Sequence, residues 1–171
     1  LKTELSASEA LCVRCGFCCD GTLFGHVPLT DEEAARLPAP LEIVEREGKR
    51  TRLAFVQPCA GFHAQCTLYD ARPETCRSYR CALLKDAEAG AVAYDDAQRI
   101  VANLHARRDA IARLVHMPFD TAKRELAANA ALNVDAFLTL LGLEADLDRH
   151  FRRASGDAGD GDHAAAPARD A

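Results

Sequence analysis

Cys12-Val13-Arg14-Cys15-Gly16-Phe17-Cys18-Cys19-Asp20-Gly21 is the stretch on which the reading of this chain turns. Cys12, Cys15 and Cys18 are separated by two residues each, a spacing that lets a short segment aim three sulfurs at one centre. Gly16 and Gly21 punctuate the stretch and predict a tight loop rather than a helix. Cys18 and Cys19 are adjacent, and neighbouring side chains diverge. The pair is therefore predicted to split its duties: one thiol serves the first centre, and the other binds a second metal, bridges two metals or stays free.

The remaining thiols form a second group, Pro58-Cys59, Cys66 and then Tyr69-Asp70-Ala71-Arg72-Pro73-Glu74-Thr75-Cys76-Arg77, followed by Tyr79-Arg80-Cys81. All eight cysteines lie in the first half, and the ninety residues after Cys81 contain none. Disulfides would be the usual explanation in a short exported chain. Here Leu1 to Ala10 carry polar groups where an export signal is apolar, so the expectation is a cytoplasmic setting that keeps thiols reduced and free for metal. Thiolates are soft donors that select zinc, iron–sulfur clusters or copper(I) over magnesium or calcium. The predicted ligands are Cys12, Cys15, Cys18, Cys19, Cys59, Cys66, Cys76 and Cys81. Cys12, Cys15 and Cys18 would take a fourth sulfur from Cys76 or Cys81, and eight sulfurs suffice for two four-sulfur sites.

Charge around the thiols fits that reading. Four thiolates on zinc carry a formal charge of about −2, and Arg14, Arg72, Arg77 and Arg80 all lie within a few residues of a cysteine. His63, between Cys59 and Cys66, is read as a loop residue more readily than as a ligand. His26, His105, His116 and His150 show no ligand spacing and are read as structural or surface residues. Tyr69 and Tyr79 are expected to pack around the metal loops, and Asp20 to form a turn with Gly21. No catalytic residue is assigned.

Outward from the cysteines, the fold class reads as α+β, mainly α: a small cysteine-rich metal-binding region with a short β-hairpin, then a C-terminal helical bundle segment. Thr22 to Leu29 suggests a strand. Thr30-Asp31-Glu32-Glu33 has the form of a capping box opening a short helix that Pro38 and Pro40 stop. Leu41 to Val44 and Arg52 to Val56 alternate as a hairpin joined through Glu47-Gly48-Lys49. Pro73 fits the first turn of a helix, with Cys76 one turn inside. From about Asp95, Ile100, Leu104, Ile111 and Leu114 mark one helical face that Pro118 ends. A second helix follows Asp120, and a third carries Phe137, Leu138, Leu140, Leu141, Leu147 and Phe151. One domain is expected over 1–153, comprising the metal region 12–81 and the helical region 95–153, with a disordered tail at 154–171. A net charge of −5 gives no general attraction to nucleic acid, and no apolar run is long enough to cross a bilayer. The expected partner is a protein bound through the C-terminal helices; the oligomeric state is left open.

The ordered combination Cys-x2-Cys-Gly-x-Cys-Cys, Pro-Cys, and Cys-x-Leu-Tyr-x-x-Arg-Pro-x-x-Cys-Arg with a further Cys resembles the YkgJ-type cysteine-cluster (CxxCxxCC) family, described as zinc- or iron-chelating. The resemblance covers Cys12 to Cys81 and implies that all eight cysteines bind metal, with Arg72, Pro73 and Arg77 matching the Arg-Pro-x-x-Cys-Arg signature. Ala60 departs from it, standing where a second Pro is common. A distantly similar group acts as flagellin lysine methylases. This chain has no glycine-rich strand-to-helix turn for S-adenosylmethionine, and that activity is not carried over. The first expectation is therefore an iron–sulfur protein, of 4Fe–4S type, with an electron-transfer or redox-sensing role. The alternative is a structural Zn2+ domain acting as an interaction module, and a third reading is a metal-dependent protein-modifying enzyme.

Overall fold

In the structure, a computed structural model that describes residues 5–38, 41–47 and 52–152, the first motif is half helix. Helix α1 spans Ala7–Cys15 and so carries Cys12 and Cys15, where the sequence predicted a loop. The reason lies just upstream. The Ser6 backbone N–H donates to the Glu9 carboxylate at 2.9 Å while the Glu9 N–H donates to the Ser6 hydroxyl at 3.2 Å, a reciprocal cap that starts a helix. Gly16, with φ +65°, stands immediately after the last helical residue. It ends a helix rather than opening a loop.

The elements that follow are β1 (His26–Leu29), α2 (Asp31–Arg36), β2 (Ile43–Glu45), β3 (Leu53–Val56), α3 (Glu74–Ser78), α4 (Ala82–Glu88), α5 (Tyr94–Val115), α6 (Phe119–Ala128) and α7 (Val134–His150), with 3-10 turns at Tyr69–Ala71 and Ala130–Leu132. The chain is α+β and mainly α, as the sequence predicts. It divides into two compact units, one joining the chain before Gly16 to the residues from Arg80 through the helices, the other running from Gly16 to Tyr79. The cysteine-rich stretch is thus shared: Cys12, Cys15 and Cys81 belong with the helices, and the other five thiols with the sheet.

In the Gly16–Tyr79 unit the predicted hairpin is present. β2 and β3 pair antiparallel with Ile43 opposite Phe55 and Glu45 opposite Leu53; part of the joining stretch lies outside the described residues. The sequence did not predict that β1 pairs with the other edge of β3, which gives the order β1-β3-β2. Pro28 is tolerated because β1 is an edge strand. β1 is shorter than the Thr22–Leu29 expectation, since the Thr22 N–H donates to the Asp20 carboxylate at 2.9 Å and Leu23 N–H to the Phe17 carbonyl at 3.0 Å, committing that segment to a turn. α2 opens on the predicted capping box between Thr30 and Glu33 and ends before Pro38; Pro40 lies outside the described residues. Val27, Leu29 and Phe55 form a buried cluster against which Leu37, Leu53, Cys59 and Cys76 pack.

In the helical unit α5 buries Ala97, Val101, Leu104 and Ile111, a helical stripe of apolar residues. Leu114 is 42% exposed and departs from the expected face. His116, in the left-handed conformation at φ 55°, ends α5, and Pro118 serves instead as the N-cap of α6. α7 buries Ala136, Leu140, Leu143 and Leu147, whereas Leu138 and Leu141, apolar residues of the same helix, are 59% and 50% exposed. Glu144 on α7 forms an ion pair with Lys123 on α6 and accepts a hydrogen bond from Arg152, each at 2.7 Å. α4, which the sequence reading did not anticipate, adds Leu83, Leu84 and Ala87 to the buried set. The predicted tail from residue 154 lies outside the described residues. Among those described, no helix is long and apolar enough to cross a membrane.

Candidate metal centre

Each unit positions its own thiols. In the sheet unit, Cys59 follows β3 by three residues and Cys66 lies on the returning loop, where it bridges antiparallel to Phe62. Cys76 sits in the first turn of α3 rather than one turn inside it, because Pro73 occupies the N-cap position and the Cys76 N–H donates to the Pro73 carbonyl at 3.0 Å. These three thiols act on one another. Burial against the apolar cluster pushes the Cys76 thiol up to about 12, the charges of Cys59 and Cys66 push it the same way, and Arg72 pulls against them. Cys59 is raised as well, first by burial, against a lowering hydrogen bond from the Gly61 backbone, and by Cys66. A thiol held so firmly protonated ionises when a metal cation, or a cluster's iron, takes the proton's place.

Cys18 and Cys19 lie on the segment between Gly16 and the turn at Asp20. The Gly16 carbonyl accepts from both Cys19 N–H at 2.7 Å and Asp20 N–H at 3.0 Å. Two bonds fasten this segment to the residues after β3: Cys59 N–H donates to the Cys19 carbonyl at 2.8 Å, and Gln57 Nε2 donates to the Cys18 carbonyl at 3.1 Å. Gly16 is required here on two counts. Its φ is positive, and a Cβ on it would stand 2.5 Å from the Phe62 ring.

In the helical unit, Cys12 is exposed on α1 and Cys15 is buried. The Cys15 carbonyl accepts from His105 Nε2 of α5 at 2.8 Å, which fixes the proton on that nitrogen. Cys81 is the N-cap of α4, its sulfur accepting the Leu84 N–H at 3.4 Å. Burial raises the Cys81 thiol, that bond lowers it, and the neighbouring Cys12 raises it again.

The sequence-predicted companions of the thiols fall out unevenly. Arg77 pairs with Glu74, Arg80 with Glu88, and Arg14 donates to Gln98. Arg72 lies over the Tyr69 ring at 3.7 Å and is the arginine that favours the charged form of Cys76. Tyr79 meets Phe24 edge-on at 5.1 Å. His63 is exposed in its loop, and Asp20 makes the predicted turn. Sequence reasoning missed Gln57 and the tie from His105 to Cys15. Both carried a signal, since each is a polar residue set in an apolar pattern: Gln57 closes Leu53–Val56, and His105 falls four residues after buried Val101.

A donor set made only of thiols fits a soft or borderline metal. Among the described residues, no three His, Cys, Asp or Glu side chains converge closely enough to hold a single metal ion as they stand. The family model CxxCxxCC, whose description reads "Putative zinc- or iron-chelating domain", matches residues 11–114. The match runs past Cys81 into α5, further than the motif-bearing stretch. No curated protein and no solved structure matches the chain.

Proposed function

The chain belongs to the CxxCxxCC family, matched over more than half its length, and from that premise we propose that its thiols hold iron in a sulfur cluster of 4Fe–4S type. The cluster would sit in the sheet unit on Cys59, Cys66 and Cys76, with Cys18 or Cys19 as the fourth ligand. Cys12, Cys15 and Cys81 form a separate proposed ligand set in the helical unit. One observation supports the choice of iron: every candidate donor is a thiol, and five of them, Cys18, Cys19, Cys59, Cys66 and Cys76, belong to the sheet unit, an all-sulfur set of the kind that holds iron–sulfur clusters. Electron transfer or redox sensing in a reducing cytoplasm is the role such a centre serves. The exposed stripe Val134, Leu138 and Leu141 on α7 supports a protein partner for the helices.

Anaerobic purification followed by an absorption spectrum and metal analysis tests the proposal. The expected protein is brown, absorbs broadly near about 400 nm, contains iron with labile sulfide, and bleaches reversibly on reduction. A colourless protein carrying zinc overturns it in favour of a structural zinc module.

A further inference from the structure

We propose that Gln57 is a positioning residue for the metal centre of the sheet unit, setting Cys18 and Cys19 in register with Cys59. This inference rests on the metal reading above.

Residues 57–59 must hold two consecutive carbonyls, those of Cys18 and Cys19, and have few donors with which to do it. The Cys59 N–H takes the Cys19 carbonyl at 2.8 Å. Pro58 has no N–H, and the Gln57 N–H is committed to the Gly25 carbonyl at 2.9 Å. No backbone donor in this stretch remains for the Cys18 carbonyl. The Gln57 side chain supplies the missing one through Nε2 at 3.1 Å. Because a carbonyl can only accept, this bond also fixes which way round the amide lies.

Gln57 is only 8% exposed, and its Oε1 is buried with no hydrogen-bond partner among the described residues. Burying an amide with one half unsatisfied works against stability; an apolar side chain of the same shape would avoid that cost while taking a donor from the Cys18 carbonyl, so the two effects on folding oppose each other. Folding therefore gains little from an amide at this position. What the amide does secure is the placement of two thiol-bearing residues beside a third, and residues that orient ligands without touching the metal commonly alter metal affinity by 10- to 100-fold.

The test compares Gln57→Met, which keeps the length and loses the donor, with Gln57→Asn, which keeps an amide one methylene too short. Ala54→Gly is the control, since Ala54 is fully buried in the middle of β3 and touches neither tie. Each full-length protein is loaded with zinc alone and titrated with a chromophoric chelator, and separately reconstituted with iron and sulfide and followed by visible absorption. Thermal melting of each metal-free protein is recorded alongside. The expected result is at least tenfold weaker metal retention in Gln57→Met and Gln57→Asn, with metal-free melting close to wild type in Gln57→Met. Ala54→Gly should melt lower while retaining metal as wild type does. Two results overturn the inference: both Gln57 variants retaining metal like wild type, or metal loss in them that merely follows melting temperature on the line Ala54→Gly defines. Wild-type protein that takes up neither metal overturns the metal reading itself, and the inference with it.

Discussion

The two carboxylate oxygens of Glu33 accept from two different helix starts, Oε2 from the Thr30 N–H at 2.9 Å and Oε1 from the Glu74 N–H at 2.8 Å. One side chain thus caps α2 and fastens the first turn of α3, the turn that holds Cys76. Glu33→Ala removes both bonds and is expected to cost about 1–2 kcal/mol, measured by urea denaturation. Burial raises the Glu33 carboxyl, but the backbone donors of Thr30 and Glu74 outweigh it and hold the group below its usual value. A depressed folded value contributes stability that is present above the ordinary carboxylate range and lost as pH falls through it. Wild type should therefore lose stability below about pH 4.5 more steeply than Glu33→Ala.

Gly16→Ala tests the junction behind Cys15. It imposes a side chain at φ +65° and drives a Cβ to within 2.5 Å of the Phe62 ring. The left-handed conformation alone costs a residue with a Cβ about 1–2 kcal/mol. Displacing Phe62, whose backbone bridges to Cys66, adds to that. The expected outcome is a loss of about 2–3 kcal/mol in denaturant melts, with reduced metal uptake.

Two leucines on α7, two positions apart, should behave oppositely. Leu143 is fully buried and Leu141 is 50% exposed. Leu143→Ala opens a cavity and should cost about 2–5 kcal/mol, whereas Leu141→Lys should change stability by less than about 0.5 kcal/mol. Equal losses by calorimetry would mean that Leu141 is covered in solution.

Those two leucines also show where sequence reading stops. Ile100, Leu104, Ile111, Leu140 and Leu147 announce helices through a period of 3.6, and existence and type came out correctly. Which apolar residues face inward depends on neighbours the pattern does not name. α7 offers leucines on more than one side, and only packing against α5 and α6 decides that Leu143 goes in while Leu138 stays out. The capping box at Thr30–Glu33 was legible because both of its bonds are local. The second bond of Glu33, to a backbone 41 residues away, carries no local mark. The same division holds at the thiols. Spacing announces metal chemistry, but Gly16 reads as loop punctuation unless the Ser6–Glu9 cap that starts α1 is recognised. The influence of Cys12 on Cys81, and of Cys59 and Cys66 on Cys76, arises only in tertiary structure.

Thiol reactivity gives the last prediction, because it reads the centre one cysteine at a time. In metal-free, reduced protein the Cys76 thiol is pushed up to about 12. At pH 8 roughly one molecule in 10,000 then carries its thiolate, against about one in ten for a thiol at the ordinary value of 9.0. The thiolate is the reacting form, and Cys76 is also shielded by the apolar cluster. Cys12 is exposed. Iodoacetamide labelling followed by peptide mass spectrometry should therefore modify Cys12 early and Cys76 last, with Cys76 gaining most as pH is raised from 8 to 10. Loading with metal should add protection at Cys59 and Cys66, both only partly buried, and chelation should remove it. Replacing Cys76 by Ser should abolish that protection at Cys59 and Cys66 together, because the proposed centre takes all three thiols. Protection that persisted in Cys76→Ser would show that Cys59 and Cys66 hold metal without α3.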